Sequence, residues 1–141
     1  MDTDGVHLTC NFFAPPEAVF DAWINKDFIR KWLFVGSTSE IVHVEMDVRV
    51  QGKFSILEQD NIKLEHIDHF GEYVSIERPG RLEFTLSVPK HFAGKTTVEI
   101  IILATDAGSE LTLTQTGVSR IVTEGNWKKM LFQLQLALEN Q

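Results

Sequence analysis

The stretch Trp127-Lys128-Lys129-Met130-Leu131-Phe132-Gln133-Leu134-Gln135-Leu136-Ala137-Leu138 decides how this chain folds. Trp127, Met130, Leu131, Leu134, Ala137 and Leu138 recur at three- and four-residue intervals, the spacing that lines one face of an α-helix. Lys128, Lys129, Gln133 and Gln135 fall mostly off that face. Thr123 is the expected N-cap, with Val122 and Trp127 placed as a hydrophobic staple. A long helix with one apolar stripe needs an apolar surface to lie on.

The preceding 80 or so residues, from 39 to about 118, supply that surface as strands. Leu82, Phe84, Leu86 and Val88 alternate with Arg81, Glu83, Thr85 and Ser87, the two-residue period of a half-buried strand. Ile41 to Met46 alternates in the same way, and Gly52 to Leu57 follows. Asp60-Asn61 and Arg78-Pro79-Gly80 are turns that bracket a long strand from Ile62 to Ile76. Lys95 to Leu103 is rich in Thr, Val and Ile, and Asp106-Ala107-Gly108 turns it into Leu111 to Thr116. Short polar turns between successive strands imply an antiparallel meander.

Upstream, Val6-His7-Leu8-Thr9-Cys10-Asn11-Phe12 is one more alternating strand. Ala14-Pro15-Pro16-Glu17 then signals a helix start, because proline fits a first helical turn. Val19, Phe20 and Trp23 give that short helix its apolar face. Asn25 caps a second short helix carrying Phe28, Ile29 and Trp32. The order is strand, two short helices, about six strands, long helix. An open sheet must cover its apolar face, and only the last helix is long enough to do so. The expected fold is α+β: a curved antiparallel sheet of about six or seven strands wrapped around the C-terminal helix, one domain over residues 1–141.

Composition narrows the function classes. With 13 Lys and Arg against 20 Asp and Glu, the net charge is -7, which disfavours nucleic acid and anionic membrane surfaces as partners. The single Cys10 excludes an internal disulfide framework. No basic, apolar leader opens the chain, and no apolar run approaches the roughly 20 residues that span a bilayer, so a cytoplasmic protein without membrane insertion is expected. Ten Phe and three Trp against one Tyr promise a greasy interior with few polar handles.

Several phrases, in order, carry a family resemblance. They are Ala14-Pro15-Pro16-Glu17-Ala18-Val19-Phe20-Asp21-Ala22-Trp23 with Trp32 beyond it, and Val48-Arg49-Val50-Gln51-Gly52-Lys53-Phe54. Then come Gly71-Glu72-Tyr73, Glu77-Arg78-Pro79-Gly80-Arg81-Leu82-Glu83-Phe84-Thr85, and Thr96-Thr97-Val98-Glu99. Leu111-Thr112-Leu113-Thr114-Gln115-Thr116-Gly117 and Glu124-Gly125-Asn126-Trp127 complete the set. Together they resemble the START-like (Bet v 1-like, SRPBCC) helix-grip superfamily, and within it the branch named after the activator of the heat-shock chaperone ATPase. Gln115 stands where that branch often has a His, and Asn126 is inserted between Gly125 and Trp127. The resemblance implies a cavity between the sheet and the last helix that takes apolar small molecules. It does not imply a reaction.

Chemistry-bearing motifs are sparse. In His66-Ile67-Asp68-His69, His66 and Asp68 share a strand face while His69 points the other way. A histidine–carboxylate pair could orient a base or touch a ligand, and a surface role competes with both. The same alternation works against a metal site, and no cofactor is expected. Phe92-Ala93-Gly94-Lys95-Thr96 ends like a phosphate loop, but Pro89 stands where the motif requires glycine and a strand follows instead of a helix. Cys10 lies mid-strand on the apolar side and reads as a buried, inert thiol. Glu99 and Glu110 lie on adjoining strands with Glu83 one strand away, a pairing that can do acid–base work, but Glu83 and Glu99 alternate away from the apolar sets and read as a solvated face.

The aromatic and Met set has two readings, solid core or pocket lining. If a hollow exists, its apolar walls are Trp23, Trp32, Phe54, Ile56, Phe84, Leu86, Val98, Ile100, Trp127, Met130 and Leu131, with His66 and Gln115 as orienting polar groups. Phe132 stands off the main stripe. The leading expectation is a non-catalytic protein whose partner is a small apolar molecule. A cyclase- or hydrolase-like enzyme using His66 and Asp68 is the first alternative, and a co-chaperone-like stimulator of a heat-shock chaperone ATPase the second. Exposed sheet edges are compatible with a homodimer.

Overall fold

A computed structural model describes residues 4–140. Strand β1 (Val6–Phe12) leads into two short helices, α1 (Pro16–Asp21) and α2 (Lys26–Ile29). Six strands follow: β2 (Ser39–Met46), β3 (Lys53–Asp60), β4 (Glu65–Glu77), β5 (Arg81–Leu86), β6 (Thr96–Thr105) and β7 (Gly108–Thr116). Helix α3 (Arg120–Glu139) closes the chain. The strands form one antiparallel sheet in the order β1-β7-β6-β5-β4-β3-β2, so the meander is intact and β1 pairs back onto β7. The architecture is the helix grip expected from the strand and helix periodicities.

Alternation carries the core. Leu82, Phe84 and Leu86 of β5, Val98, Ile100 and Ile102 of β6, and Leu111 and Leu113 of β7 all face inward and are buried. Their neighbours Arg81, Glu83 and Glu99 lie on the convex side, where Arg81 bridges both glutamates at 2.6 and 2.9 Å and Glu77 at 3.3 Å. Like charges on one face are thus tied together rather than left to repel. The solvated-face reading of these glutamates matches their positions.

Two backbone details shape the sheet. The register slips between Ile41 and His43 on β2 and between Tyr73 and Ser75 on β4, as at β-bulges, which bend strands and increase twist. On β4, Gly71 sits where a Cβ would collide with the carbonyl oxygen of Thr85, so the absence of a side chain lets β4 press against β5. At that point β4 exchanges hydrogen bonds with the end of β5 through Phe70 and Ser87, at 3.1 and 2.8 Å.

The short helices behave as their sequence demands. Asn25 Oδ1 accepts from the backbone N–H groups of Asp27 and Phe28, both at 3.0 Å, and so caps α2. Trp32 donates its indole N–H to the Ala22 carbonyl at 3.1 Å, locking the two helices together. Asp21 and Arg78 form a two-pronged ion pair at 2.8 and 2.9 Å that ties α1 to the β4–β5 turn.

Helix α3 starts three residues before the expected cap. Ser119 is the N-cap but its side chain bonds nothing there. Instead Asp4 Oδ1 accepts the Arg120 N–H at 3.0 Å, and its other oxygen lies 3.5 Å from the Arg120 guanidinium. A carboxylate from the far end of the chain does the capping, which local spacing cannot reveal. Thr123 is consequently inside the helix, and Val122, 64% exposed, makes no staple. The strand after Asp60 also starts later than expected. Asp60 Oδ1 accepts from Ile62 and Lys63, forming a turn that leaves Ile62 and Leu64 outside the sheet.

Along α3, Trp127, Leu131 and Leu134 are buried against the sheet, and Gln135 reaches β1, donating to the Asn11 carbonyl at 2.8 Å. Cys10 is half-buried beside Gln135, and burial pushes its thiol pKa upward, away from nucleophilic reactivity. Among the described residues no helix is long and apolar enough to cross a membrane.

Candidate ligand cavity

The space between sheet and helix is divided into a solid part and an open part. Under the middle of the sheet, aromatic rings interlock. Trp23 meets Trp32 edge to face at 4.6 Å between centroids, and approaches Phe84 at 6.3 Å and Trp127 at 6.0 Å. Phe54 meets Phe84 edge to face at 5.5 Å. Of the two readings of the aromatic set, solid core or pocket lining, these contacts give solid core for this part. Trp23, Trp32, Phe54, Ile56, Phe84, Val98, Ile100 and Leu131 are buried core and lie off the cavity wall. The two tryptophans of the early helices supply the volume that fills the grip.

The open part is an open-mouthed cavity of about 620 Å³ at the N-terminal end of α3. Small-molecule sites commonly fall within roughly 300–1,000 Å³. Its walls come from six places that are distant in sequence, one of them Gln115 on β7. Thr123, Asn126, Trp127 and Met130 project from α3, and Phe34 to Thr38 lie in the loop that leads to Ser39, the first residue of β2. Glu58 and Asp60 end β3, His69 lies on β4, and Leu86 to Phe92 lead out of β5. Lys31, Lys129, Phe132 and Gln133 complete the lining, and all four are exposed. Of the residues singled out in the sequence, Leu86, Gln115, Trp127 and Met130 line this cavity.

Beside the apolar walls runs a buried polar chain. Trp127 donates its indole N–H to Gln115 Oε1 at 2.8 Å, Gln115 Nε2 donates to Thr96 Oγ1 at 3.0 Å, and Thr96 donates to the Leu86 carbonyl at 2.8 Å. Gln115 is therefore satisfied by protein and fixes the Trp127 ring. It orients a wall, and its amide is occupied before any ligand arrives.

A second polar group lies opposite. His69 Nε2 and Glu58 Oε1 are 3.0 Å apart, and Glu58 Oε2 accepts from Ser39 Oγ at 2.6 Å. Ser39 Oγ in turn accepts the Gly36 N–H at 2.7 Å, so the α2–β2 loop is tied to the pair. Phe34 stacks flat on the imidazole, with centroids 4.0 Å apart and planes 7° apart. The Phe34 N–H points at Met130 Sδ at 3.1 Å, which connects the stack to α3. His91 meets the other ring edge to face at 6.2 Å. Burial lowers the pKa of His69, only partly countered by the Glu58 carboxylate. Glu58 also ends below its ordinary value, because hydrogen bonds from His69 and Ser39 outweigh burial, which alone would raise it. The pair is therefore a neutral imidazole donating Nε2–H to an ionised carboxylate. Its Nδ1 is buried and has no hydrogen-bond partner among the described residues.

The histidine expected to face the ligand was the wrong one of two. His66 is exposed, bonds Gln59 Oε1 at 3.0 Å, and takes no part in the cavity. Asp68 is exposed as well and accepts from Ser55 Oγ at 2.8 Å. Both lie on the convex face, which removes the general base and orienter that a hydrolase or cyclase reading assigned to them. A signal for His69 exists in the sequence: Ile67, His69, Gly71 and Tyr73 share one parity, and Tyr73 is buried. The bulge between Tyr73 and Ser75 obscures it, because Ile76 further along has the opposite parity. Among the described residues no three His, Cys, Asp or Glu side chains converge as metal ligands.

Comparison with known proteins agrees with this architecture. A crystal structure of a Chromobacterium violaceum protein superposes with a TM-score of 0.85 at 22% identity, covering 94% of this chain and 95% of that one. An AHSA1-like protein from Aeromonas hydrophila gives 0.82 at 18% identity, over 96% and 92% of the two chains. A Staphylococcus aureus protein of unknown function gives 0.82 at 16%, over 99% and 95%. Identities this low establish the shared fold and nothing finer. No curated protein sequence is significantly similar to the chain. The family described as Activator of Hsp90 ATPase homolog 1-like protein matches residues 13–139, nearly the whole sequence. The chain belongs to that family, a branch of the START-like, Bet v 1-like superfamily.

Proposed function

We propose that this protein is a non-catalytic binding module that holds a small, mainly apolar molecule in the cavity at the N-terminal end of α3. One observation carries the reading: about 620 Å³ is left open between α3, the α2–β2 loop and the sheet, beside an otherwise solid aromatic core. Phe34, Leu86, Val88, Phe92, Trp127 and Met130 offer that space an apolar lining. Met and aromatic side chains adapt to irregular ligand shapes at small cost. Each 100 Å² of apolar surface removed from water contributes about 2.5 kcal/mol before ordering costs are subtracted. In this reading the protein works in the cytoplasm on a free small molecule, without nucleic acid.

Thermal unfolding in the presence of a panel of bicyclic aromatics and medium-chain aliphatics tests the reading. A ligand present at one hundred times its Kd should add about 2.7 kcal/mol to stability. Narrowing the cavity with Met130→Trp should reduce the shift while leaving the protein folded. If no member of the panel stabilises the protein, or Met130→Trp responds as the wild type does, the reading fails.

A further inference from the structure

We propose that the ligand of this cavity carries an O–H or N–H donor, and that His69 Nδ1 accepts it. The inference rests on the binding reading above and adds the polar chemistry of the ligand. His69 has 4% of its side chain exposed, and its ring forms part of the cavity wall. Nε2 is committed to Glu58, which is itself held by Ser39. That arrangement fixes the tautomer: the proton sits on Nε2, and Nδ1 presents a lone pair. A buried lone pair without a donor is a standing cost, since the same atom is hydrogen-bonded to water in the unfolded chain. A ligand hydroxyl or amide N–H removes that cost, whereas an ether or hydrocarbon of the same shape leaves it in place.

Two further acceptors on the wall are already committed. Gln115 is engaged at both ends by Trp127 and Thr96. Asp60 Oδ1 caps the β3–β4 turn, and its Oδ2 faces Thr38 at 3.4 Å. In the structure Nδ1 is covered, and Phe34 and His91 are the two rings against the imidazole. The Nδ1 lone pair lies in the imidazole plane, so a donor reaches it at the ring edge, once the side chains covering that edge give way. Phe34 holds a left-handed φ of 61°, an uncommon conformation for a bulky residue.

The test uses a matched pair of probes on the full-length protein, 2-naphthol and 2-methoxynaphthalene, which differ in the hydroxyl proton. Titration calorimetry is expected to show 2-naphthol binding at least tenfold tighter to the wild type. His69→Phe keeps a ring for Phe34 to stack on but has no acceptor, and the preference should shrink to less than threefold. In long-range 1H–15N spectra of the wild type, 2-naphthol should move the His69 Nδ1 resonance while the methyl ether leaves it in place. This arm decides the question even if His69→Phe does not fold. Equal affinity of the two probes, an unmoved Nδ1 resonance, or a preference that survives in His69→Phe overturns this inference and leaves the binding reading standing. If neither probe binds nor any bicyclic aromatic stabilises the protein, both fall together.

Discussion

Glu58 and His69 illustrate how much of this site hangs on single residues. They are eleven positions apart, and their meeting depends on the antiparallel pairing of β3 with β4, which places Glu58 opposite Ile67 and His69 opposite Ile56. Both groups hold protons less tightly when folded than their ordinary values: His69 because it is buried, Glu58 because His69 and Ser39 donate to it. The unfolded chain therefore binds more protons on acidification, and stability must fall with pH. For His69 the loss begins as pH drops through about 6.5, the ordinary imidazole value, and Glu58 adds to it through the carboxylate range. Urea midpoints measured from pH 8 to pH 5 should decline, and His69→Phe should flatten the part of the curve between about pH 7 and 5.5, where the unfolded imidazole titrates. A midpoint that rises on acidification would show that the imidazole is charged in the fold, and an unchanged slope in the variant would show that it titrates alike folded and unfolded.

At the scale of elements, two glycines with opposite roles separate fold requirement from tolerance. Gly71 in β4 leaves no room for a Cβ beside the Thr85 carbonyl oxygen, and the sheet cannot retreat there without breaking the Phe70–Ser87 bonds. Gly71→Ala should cost about 1–3 kcal/mol, the range for overpacking a fixed site. Gly125 lies within α3, and a Cβ there meets nothing within 4 Å. Gly125→Ala should stabilise the helix by roughly 0.5–1 kcal/mol, because alanine gives up less backbone freedom. Chemical denaturation of the two variants side by side checks both signs. A neutral Gly71→Ala would mean that β4 and β5 part more easily than their contacts indicate.

For the whole molecule, the decisive feature is that the grip is half filled. Trp32 is fully buried, packs edge to face on Trp23, and anchors α2 to α1 through Ala22. Trp32→Ala should cost about 3–5 kcal/mol, a large part of the 5–15 kcal/mol typical of a whole domain. Met130→Ala, which removes a partly buried side chain from the cavity wall, should cost markedly less. Equal losses from the two substitutions, read as urea midpoints with unchanged slopes, would show that the division between solid core and open cavity is wrong. The acidic surface leaves this division untouched, since it acts on solubility and encounter rather than on packing.

The order of elements, the inward parity of β5, β6 and β7, the cap at Asn25 and the buried stripe of α3 were all readable along the chain. Each depends on residues within a few positions of one another, so a period of two or of about 3.6 residues expresses it. Gln115, Trp127, Met130 and Leu86 were readable as cavity candidates for the same reason. Which bulky residues fill the interior and which border a void was not, because volume is a sum over side chains from helices and strands far apart in sequence. The choice of His69 over His66 turned on the face that β4 presents inward, and a bulge of one residue reverses that face along a strand. Asp4 capping α3 and Ser39 holding Glu58 likewise exist only once the chain has closed on itself.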